Sequence, residues 1–284
     1  MVIQHRKAEV LCAWEKNALG DLLSACRQAE PLTLSFPDDV EEVFWAWDGE
    51  ELPLEAPGPN LLGCLAVCPA EEDEWECYAF TRPKNRRQGI FGRLLEALED
   101  FAGEQEELLG QEISLAFLSD GKSPAGLAAA EALGMAYGYS EYRMVLELKG
   151  RREKDRPGEN GSRKLLELRR EEKFKREDTG EEGFEDREGA KSQVFCGYSK
   201  PDGFYIGTCR LLPYDDFRYY LYHVEIQEKL RGKGWGKRLL SAVLAQLPEK
   251  AQVFLQVSSW NEPAVKLYEK TGFRITETLS YYFW

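Results

Sequence analysis

The chain contains no stretch able to carry it through a bilayer: across 284 residues, no apolar run approaches the length of a membrane-spanning helix. Its opening residues, MVIQHRKAEVLCAWEK, lack the apolar core of a secretory signal. A disulfide framework is missing too. The seven cysteines, at positions 12, 26, 64, 68, 77, 196 and 209, are odd in number and too dispersed for a compact scaffold. Cys64 and Cys68 lack the nearby partners that zinc requires, so no metal is expected. Reduced core thiols in a soluble, cytoplasmic protein are the expectation. Positive charge is in deficit, with 37 Lys and Arg against 50 Asp and Glu, a net −13. Nucleic acids and anionic membranes repel such a chain, which argues against both as partners; the charge is compatible with cationic partners and serves solubility.

What is present is material for packed cores, since 43% of the residues are hydrophobic. The length suits two domains. The sharpest change in composition is RREKDRPGENGS, 151–162, charged and carrying Pro and Gly, which offers almost nothing to bury and reads as a linker. Domains over 1–150 and 163–284 are expected on either side. The two halves share a motif. In NRRQGIFGRLL (85–95), Arg86, Gly89, Arg93, Leu94 and Leu95 precede Arg231, Gly234, Arg238, Leu239 and Leu240 of LRGKGWGKRLL (230–240) by 145 positions. A repeat of that period points to two homologous domains rather than a solenoid.

The order of elements repeats as well. In the second half, 204–212 and 219–226 are rich in β-branched and aromatic residues and read as strands. After the glycine turn, Trp235, Leu239, Leu240, Val243, Leu244 and Leu247 recur at helical spacing. QVFLQV (252–257) reads as a buried strand, 262–270 as a short helix stopped by Gly272, and 273–283 as a last strand. The first half shows LLGCLAV, ECYAFT, the turn, a helix with Ile90, Phe91, Leu94, Leu95, Leu98 and Phe101 on one face, ISLAFL, a helix near 124–133, and YSEYRMVLEL. Both halves are of the α/β or α+β class.

A strand that runs through a glycine-rich turn into a helix exposes unpaired N–H groups at the positive end of the helix dipole, an anion site whose usual guest is phosphate. Glycines let that phosphate reach the main chain without striking a Cβ. Lys229, Arg231, Lys233, Lys237 and Arg238 add charge. A nucleoside-triphosphate loop is excluded, because Gly236-Lys237 is followed by Arg238 and the metal-binding hydroxyl is missing. A dinucleotide fingerprint is excluded by the spacing of Gly232, Gly234 and Gly236.

RGKGWG (231–236) resembles the R/Q-x-x-G-x-G/A coenzyme A loop of the GNAT N-acetyltransferase superfamily. SSWNEPAVKLYEKTGF (258–273) resembles its second signature, N-x-x-A-x-x-L-Y-x-x-x-G-F, with Asn261, Ala264, Leu267, Tyr268, Gly272 and Phe273 in place. The resemblance covers most of 192–284. The first half is similar in RRQGIF (86–91), but Phe91 stands where Gly or Ala is usual, and Ala130 stands where the tyrosine of the second signature would be.

The resemblance implies a tandem of two GNAT-like domains, each a mixed, mostly antiparallel sheet flanked by helices. It implies acetyl-CoA as co-substrate, lying in a splay between the strand before the turn and the next strand. The pyrophosphate would meet the N–H groups of Arg231, Gly232, Lys233, Gly234, Trp235 and Gly236, with Lys237 beside them. Backbone around Ile226 would pair with the pantetheine arm. Asn261 would hold the cofactor or cap its helix. Transfer would be direct, to a small-molecule or peptide amine. An alkyl ammonium with a pKa of about 10 must first lose a proton. The departing thiolate needs a proton or a hydrogen bond, a role for Tyr268, whose alternative is a place in the core. Glu225, with His223 of the same strand parity, is the candidate base; its alternative is a solvated face. In the first half Thr81, Arg86, Arg87, Gln88, Gly89 and Ile90 would bind a coenzyme. Phe80 stands where Glu225 does, so no base is seen there. The family's two acceptor-side helices have little counterpart in the acidic stretch 170–190, whose large apolar residues are Phe174 and Phe184. The competing class is a coenzyme-binding or interaction module without turnover.

Overall fold

A computed structural model describes residues 1–49, 60–69, 73–148, 165–171 and 192–284. The expected linker and nearly all of the acidic stretch lie outside the described residues. The chain divides into two compact units, one of Met1–Ser140 with Leu279–Trp284, the other of Glu141–Thr278. The last residues of the chain thus belong with its first half.

In the first unit, β1 (Val2–Lys7), β2 (Glu42–Trp47), β3 (Leu61–Pro69) and β4 (Glu74–Thr81) form antiparallel pairs in that order. β4 then pairs in parallel with β5 (Ser114–Ser119). The sheet is closed by the end of β12 (Arg274–Phe283), where Ser280–Phe283 run antiparallel to β5. Helices cover both faces. α1 (Ala13–Ala29) buries Leu19, Leu22 and Cys26 against Val43, Trp45 and Trp47. α2 (Ile90–Leu109) buries Ile90, Leu94, Leu95 and Leu98 against Phe44, Ala46, Leu65 and Val67. β2 therefore alternates between two cores and is apolar on both faces, the pattern of a strand sandwiched by helices. α3 (Pro124–Leu133) follows β5 and ends on Gly134 in the left-handed region.

In the second unit the C-terminal part of β6 (Ala136–Glu147), Glu141–Glu147, pairs antiparallel with β11 (Gln252–Ser258). β11 pairs in parallel with β10 (Arg218–Ile226). β9 (Tyr205–Pro213), β8 (Gln193–Ser199) and β7 (Leu166–Glu171) extend the sheet antiparallel. α4 (Trp235–Leu244) and α5 (Glu262–Thr271) lie on one face, where Leu239, Leu240, Val243 and Tyr268 join Leu221, Ile206, Leu211, Val253 and Leu255 in a single core. Each unit is a mixed, mostly antiparallel sheet flanked by helices. All seven cysteines are free thiols, six of them buried and Cys12 half-buried. Among the described residues no helix is long and apolar enough to cross a membrane.

Candidate active site

The parallel pairing in each unit is short. β10 meets β11 only from Arg218–Tyr220 to Gln252–Phe254; beyond that, β10 keeps β9 and β11 keeps β6. β4 meets β5 only over Glu74–Cys77 and Ser114–Phe117. Each pair opens toward its C-terminal ends, leaving a strand edge without a backbone partner on that side among the described residues.

The widening is helped in the second unit by a bulge. Register along β10 and β9 slips between Tyr222 and Glu225, and His223 sits at φ 49°. An extra residue of this kind bends a strand and breaks simple alternation, yet His223 Nε2 and Glu225 Oε2 still lie 3.7 Å apart. Gly207 makes the bulge possible: a Cβ there would collide with the Glu225 carbonyl. The first unit has no such slip between β3 and β4, although Gly63, paired with Thr81, has a Cβ direction blocked by the Phe80 carbonyl at 2.9 Å.

β10 leads into the predicted loop. The Gln227 N–H donates to the Ile206 carbonyl at 2.9 Å, a 3-10 turn covers Glu228–Leu230, and Gly232 and Gly234 take φ 74° and 79°. Those left-handed values cost glycine nothing and other residues strain. The first helical bond of α4 is Arg238 N–H to the Gly234 carbonyl at 3.3 Å. Among the described residues, the N–H groups of 232–237 find no acceptor. Six donors at the positive end of a helix make an anion cradle.

The loop's side chains have more local duties than the sequence suggests. Arg231 Nε donates to the Ile226 carbonyl at 3.0 Å, bracing the strand end, and Lys233 Nζ donates to the Lys229 carbonyl at 2.8 Å. The Arg238 guanidinium lies 4.8 Å over the Trp235 ring. Gly236 answers to packing: a Cβ there would stand 3.1 Å from Leu267 Cδ2 of α5. Among the described residues no carboxylate pairs with Lys229, Arg231, Lys233, Lys237 or Arg238, so the cradle keeps its charge.

The first unit repeats the design with changes. Arg82 N–H donates to the Leu62 carbonyl, a 3-10 turn covers Pro83–Asn85, and Arg87 and Gly89 stand at φ 60° and 76°, where the other loop has Gly232 and Gly234. The N–H groups of 87–92 have no acceptor among the described residues, the first helical bond being Arg93 to Gly89 at 3.1 Å. Arg86 Nε donates to the Thr81 carbonyl at 3.2 Å, the counterpart of the Arg231 contact. Its two terminal nitrogens, however, grip Glu30 at 2.8 and 3.0 Å. Burial alone would raise the Glu30 carboxyl, but hydrogen bonds from Arg86 and Ser123 outweigh it and hold the group below its ordinary range. Arg86 is therefore neutralised where it stands, while Arg87 is exposed and has no carboxylate partner among the described residues. Gln88 Nε2 reaches the Lys84 carbonyl at 3.4 Å, and Ile90 is buried in the α2 core.

A cavity of about 580 Å³ opens inside the first unit. Its walls are the end of β4 at Ala79–Thr81, the loop at Arg86, Arg87 and Gly89–Gly92, the small-residue face of α3, Phe117 and Leu118 of β5, Leu32, Leu34, and Tyr282. Asp120 and Cys26 also line it. Sequence reasoning missed both. Asp120 accepts from the Thr33 and Leu34 N–H groups, the Thr33 hydroxyl at 2.9 Å, and the Lys122 N–H at 2.9 Å. Burial would raise this carboxyl, but those donors hold it below the ordinary range, which makes it a structural anchor and a poor base. Burial raises the Cys26 thiol, and its Sγ lies 3.5 Å from the Thr81 carbonyl.

Among the predicted chemical residues, Tyr268 is 8% exposed and packs its ring 5.7 Å from that of Phe273. Burial, with Cys209 and Tyr220 nearby, pushes its phenol up to about 12. Glu225 is on the surface, its side chain 59% exposed, with Oε2 3.7 Å from His223 Nε2. It therefore stands on the solvated face that is the alternative to its role as a base. Asn261 caps α5, its side chain accepting from the Ala264 N–H at 3.2 Å, and Ser123 caps α3 through Gly126 at 3.1 Å. Ser123 to Gly134 and Asn261 to Gly272 are equally spaced, a signal in the sequence that could have placed Ser123. Among the described residues no group of three or more His, Cys, Asp or Glu is arranged to hold a metal.

Residues 162–273 match the model of the acetyltransferase (GNAT) family. A mycothiol acetyltransferase of Corynebacterium aurimucosum is 46% identical over 59 residues, which span 20% of this chain and 19% of that protein. The chain therefore covers about a fifth of that relative's length. A GCN5-related N-acetyltransferase from Sphaerobacter thermophilus shares the fold at a TM-score of 0.62 and 14% identity, over 99% of this chain and 95% of that one. A tandem GNAT protein from the clavulanic acid biosynthesis pathway does so at 0.57 and 14%, over 100% and 98%.

Proposed function

We propose that residues 162–273, which match the model of the GNAT acetyltransferase family, form a domain of that family, and that the second unit moves an acetyl group from acetyl-CoA to an amine. The observation that carries this reading is the cradle: six N–H groups at 232–237 without an acceptor among the described residues, under net positive charge, at the open end of the β10–β11 pair. A diphosphate suits such donors, and the unpaired edge of β10 up to Ile226 suits the amides of a pantetheine arm.

In this reading the amine nitrogen attacks the thioester carbonyl, the carbon–sulfur bond breaks, and the sulfur leaves as a thiolate. Tyr268 supplies the proton. Its raised phenol is fully protonated at neutral pH, which suits a donor and rules out a resting phenolate. The ammonium must lose its proton before attack, and Glu225 beside His223 is the candidate acceptor. Its carboxylate is exposed, so a proton taken from the amine passes on to solvent. Asn261 contributes by fixing the start of α5, and Arg231 by holding the end of β10. In the first unit Thr81, Arg86, Arg87, Gly89 and Ile90 line a coenzyme site without the bulge, the tyrosine or the glutamate, and Gln88 turns its side chain to the Lys84 carbonyl instead.

Thiol release from acetyl-CoA, measured against a panel of amines, tests the reading. CoA should appear only when an amine is present. Release that ignores the amine, or no release with any amine while calorimetry records acetyl-CoA binding, would leave a coenzyme-binding module instead.

A further inference from the structure

The two units differ at one place in a way that changes volume. In the second, Gly236 leaves room for Leu267, and Tyr268 fills the space beside it. In the first, Phe91 stands at the position of Gly236, and Ala129 and Ala130 stand at those of Leu267 and Tyr268. Phe91 for Gly and Ala129 for Leu exchange bulk across the same helix pair. Ala130 for Tyr has no such compensation, and the lost phenol is matched by open space. Ala129, Ala130 and Leu133 of α3, with Phe91, Phe117 and Met135, line the 580 Å³ cavity. Phe91 and Phe117 meet edge to face at 5.7 Å in that wall.

We propose that this cavity binds an acyl-CoA whose acyl chain is apolar and longer than acetyl. The inference rests on the coenzyme reading of the first unit and adds the nature of its acyl group. One end of the site carries the donors of a diphosphate, the N–H groups of 87–92 and the Arg87 guanidinium. Its middle is the unpaired edge of β4 at Tyr78–Thr81, suited to amides. Its far wall offers methyl and phenyl groups where the other unit keeps a phenol. A chain of methylenes gains about fourfold in affinity for each one buried there. With Phe80 and Ala130 in place of Glu225 and Tyr268, the groups proposed for transfer are missing, so the acyl-CoA is retained as a ligand.

Amide hydrogen exchange on the full chain, with CoA, acetyl-CoA, butanoyl-CoA and octanoyl-CoA, separates the possibilities because it reads residues 87–92 apart from 232–237. Octanoyl-CoA should protect 87–92 at a concentration at least about tenfold below that needed with acetyl-CoA. Ala130→Tyr should abolish that difference while leaving protection by CoA itself. Ala129→Leu, which copies the other helix, serves the same purpose should the tyrosine variant not fold. Equal protection by CoA, acetyl-CoA and octanoyl-CoA would overturn the acyl inference and leave the coenzyme reading standing. No protection of 87–92 by any of them would sink both.

Discussion

Leu267 stands 3.1 Å from the point where a Cβ on Gly236 would sit, so α4 and α5 approach each other through a missing side chain. The third glycine of the loop thus belongs to helix packing, while Gly232 and Gly234 belong to the backbone turn. The equivalent pair in the first unit is Phe91 and Ala129, with the larger side chain on the other helix.

Gly236→Phe alone should therefore overpack the α4–α5 contact and destabilise the second unit by about 1–3 kcal/mol. Adding Leu267→Ala should restore at least half of that loss, whereas Leu267→Ala by itself should cost stability through the cavity it leaves. Urea unfolding of the wild type, both single variants and the double variant gives the coupling directly. Additive effects would show that the two residues do not share this space.

How much of this was legible beforehand depends on what each residue answers to. The strand-turn-helix units were readable because local rules set them: left-handed glycines at 89 and 234, an Asn261 cap, and Gly134 and Gly272 as stops. β1, β2, β7 and β8 were not assigned. EVFWAW shows no alternation because both its faces are buried, and LELRRE is charged. The bulge at His223 depends on Gly207 on the neighbouring strand, a relation that spacing along the chain does not express. Nor does any local pattern say that 279–284 completes the first unit. At the site, the sequence located the loops, but not that the Arg86 and Arg231 side chains each hold the carbonyl that ends their strand.

Asp120 offers a pH test of the first unit. Its carboxyl is held low by hydrogen bonds, against a burial effect that alone would raise it, and its unfolded value is about 3.9. A folded value below the unfolded one adds stability that is present above about pH 4 and is lost as pH falls through the folded value. Asp120→Asn turns one acceptor oxygen toward a donor and should cost about 1–3 kcal/mol at neutral pH. The gap between wild type and variant should narrow as the pH is lowered from about 5 toward 2. Urea titrations across that range would show it, and a constant gap would mean that the carboxylate charge contributes nothing.

Tyr268 is buried in the same core that Leu239 and Phe273 form, so a role in packing and a role in chemistry have to be told apart. Tyr268→Phe keeps the ring and removes the hydroxyl. If the phenol protonates the departing thiolate, kcat should fall about a hundredfold, with KM for acetyl-CoA within about twofold of the wild type. The phenol, pushed up to about 12 from an ordinary value near 10, is in its donating form at every pH below that. The wild-type kcat should accordingly hold until strongly alkaline pH, and the variant should lose that limb altogether. A raised folded value also favours the folded state below about pH 10, and that advantage is lost as pH climbs through 12. Stability measured alongside the kinetics therefore separates unfolding from titration of the acid. An unchanged kcat in both steady-state and single-turnover transfer would return Tyr268 to the core.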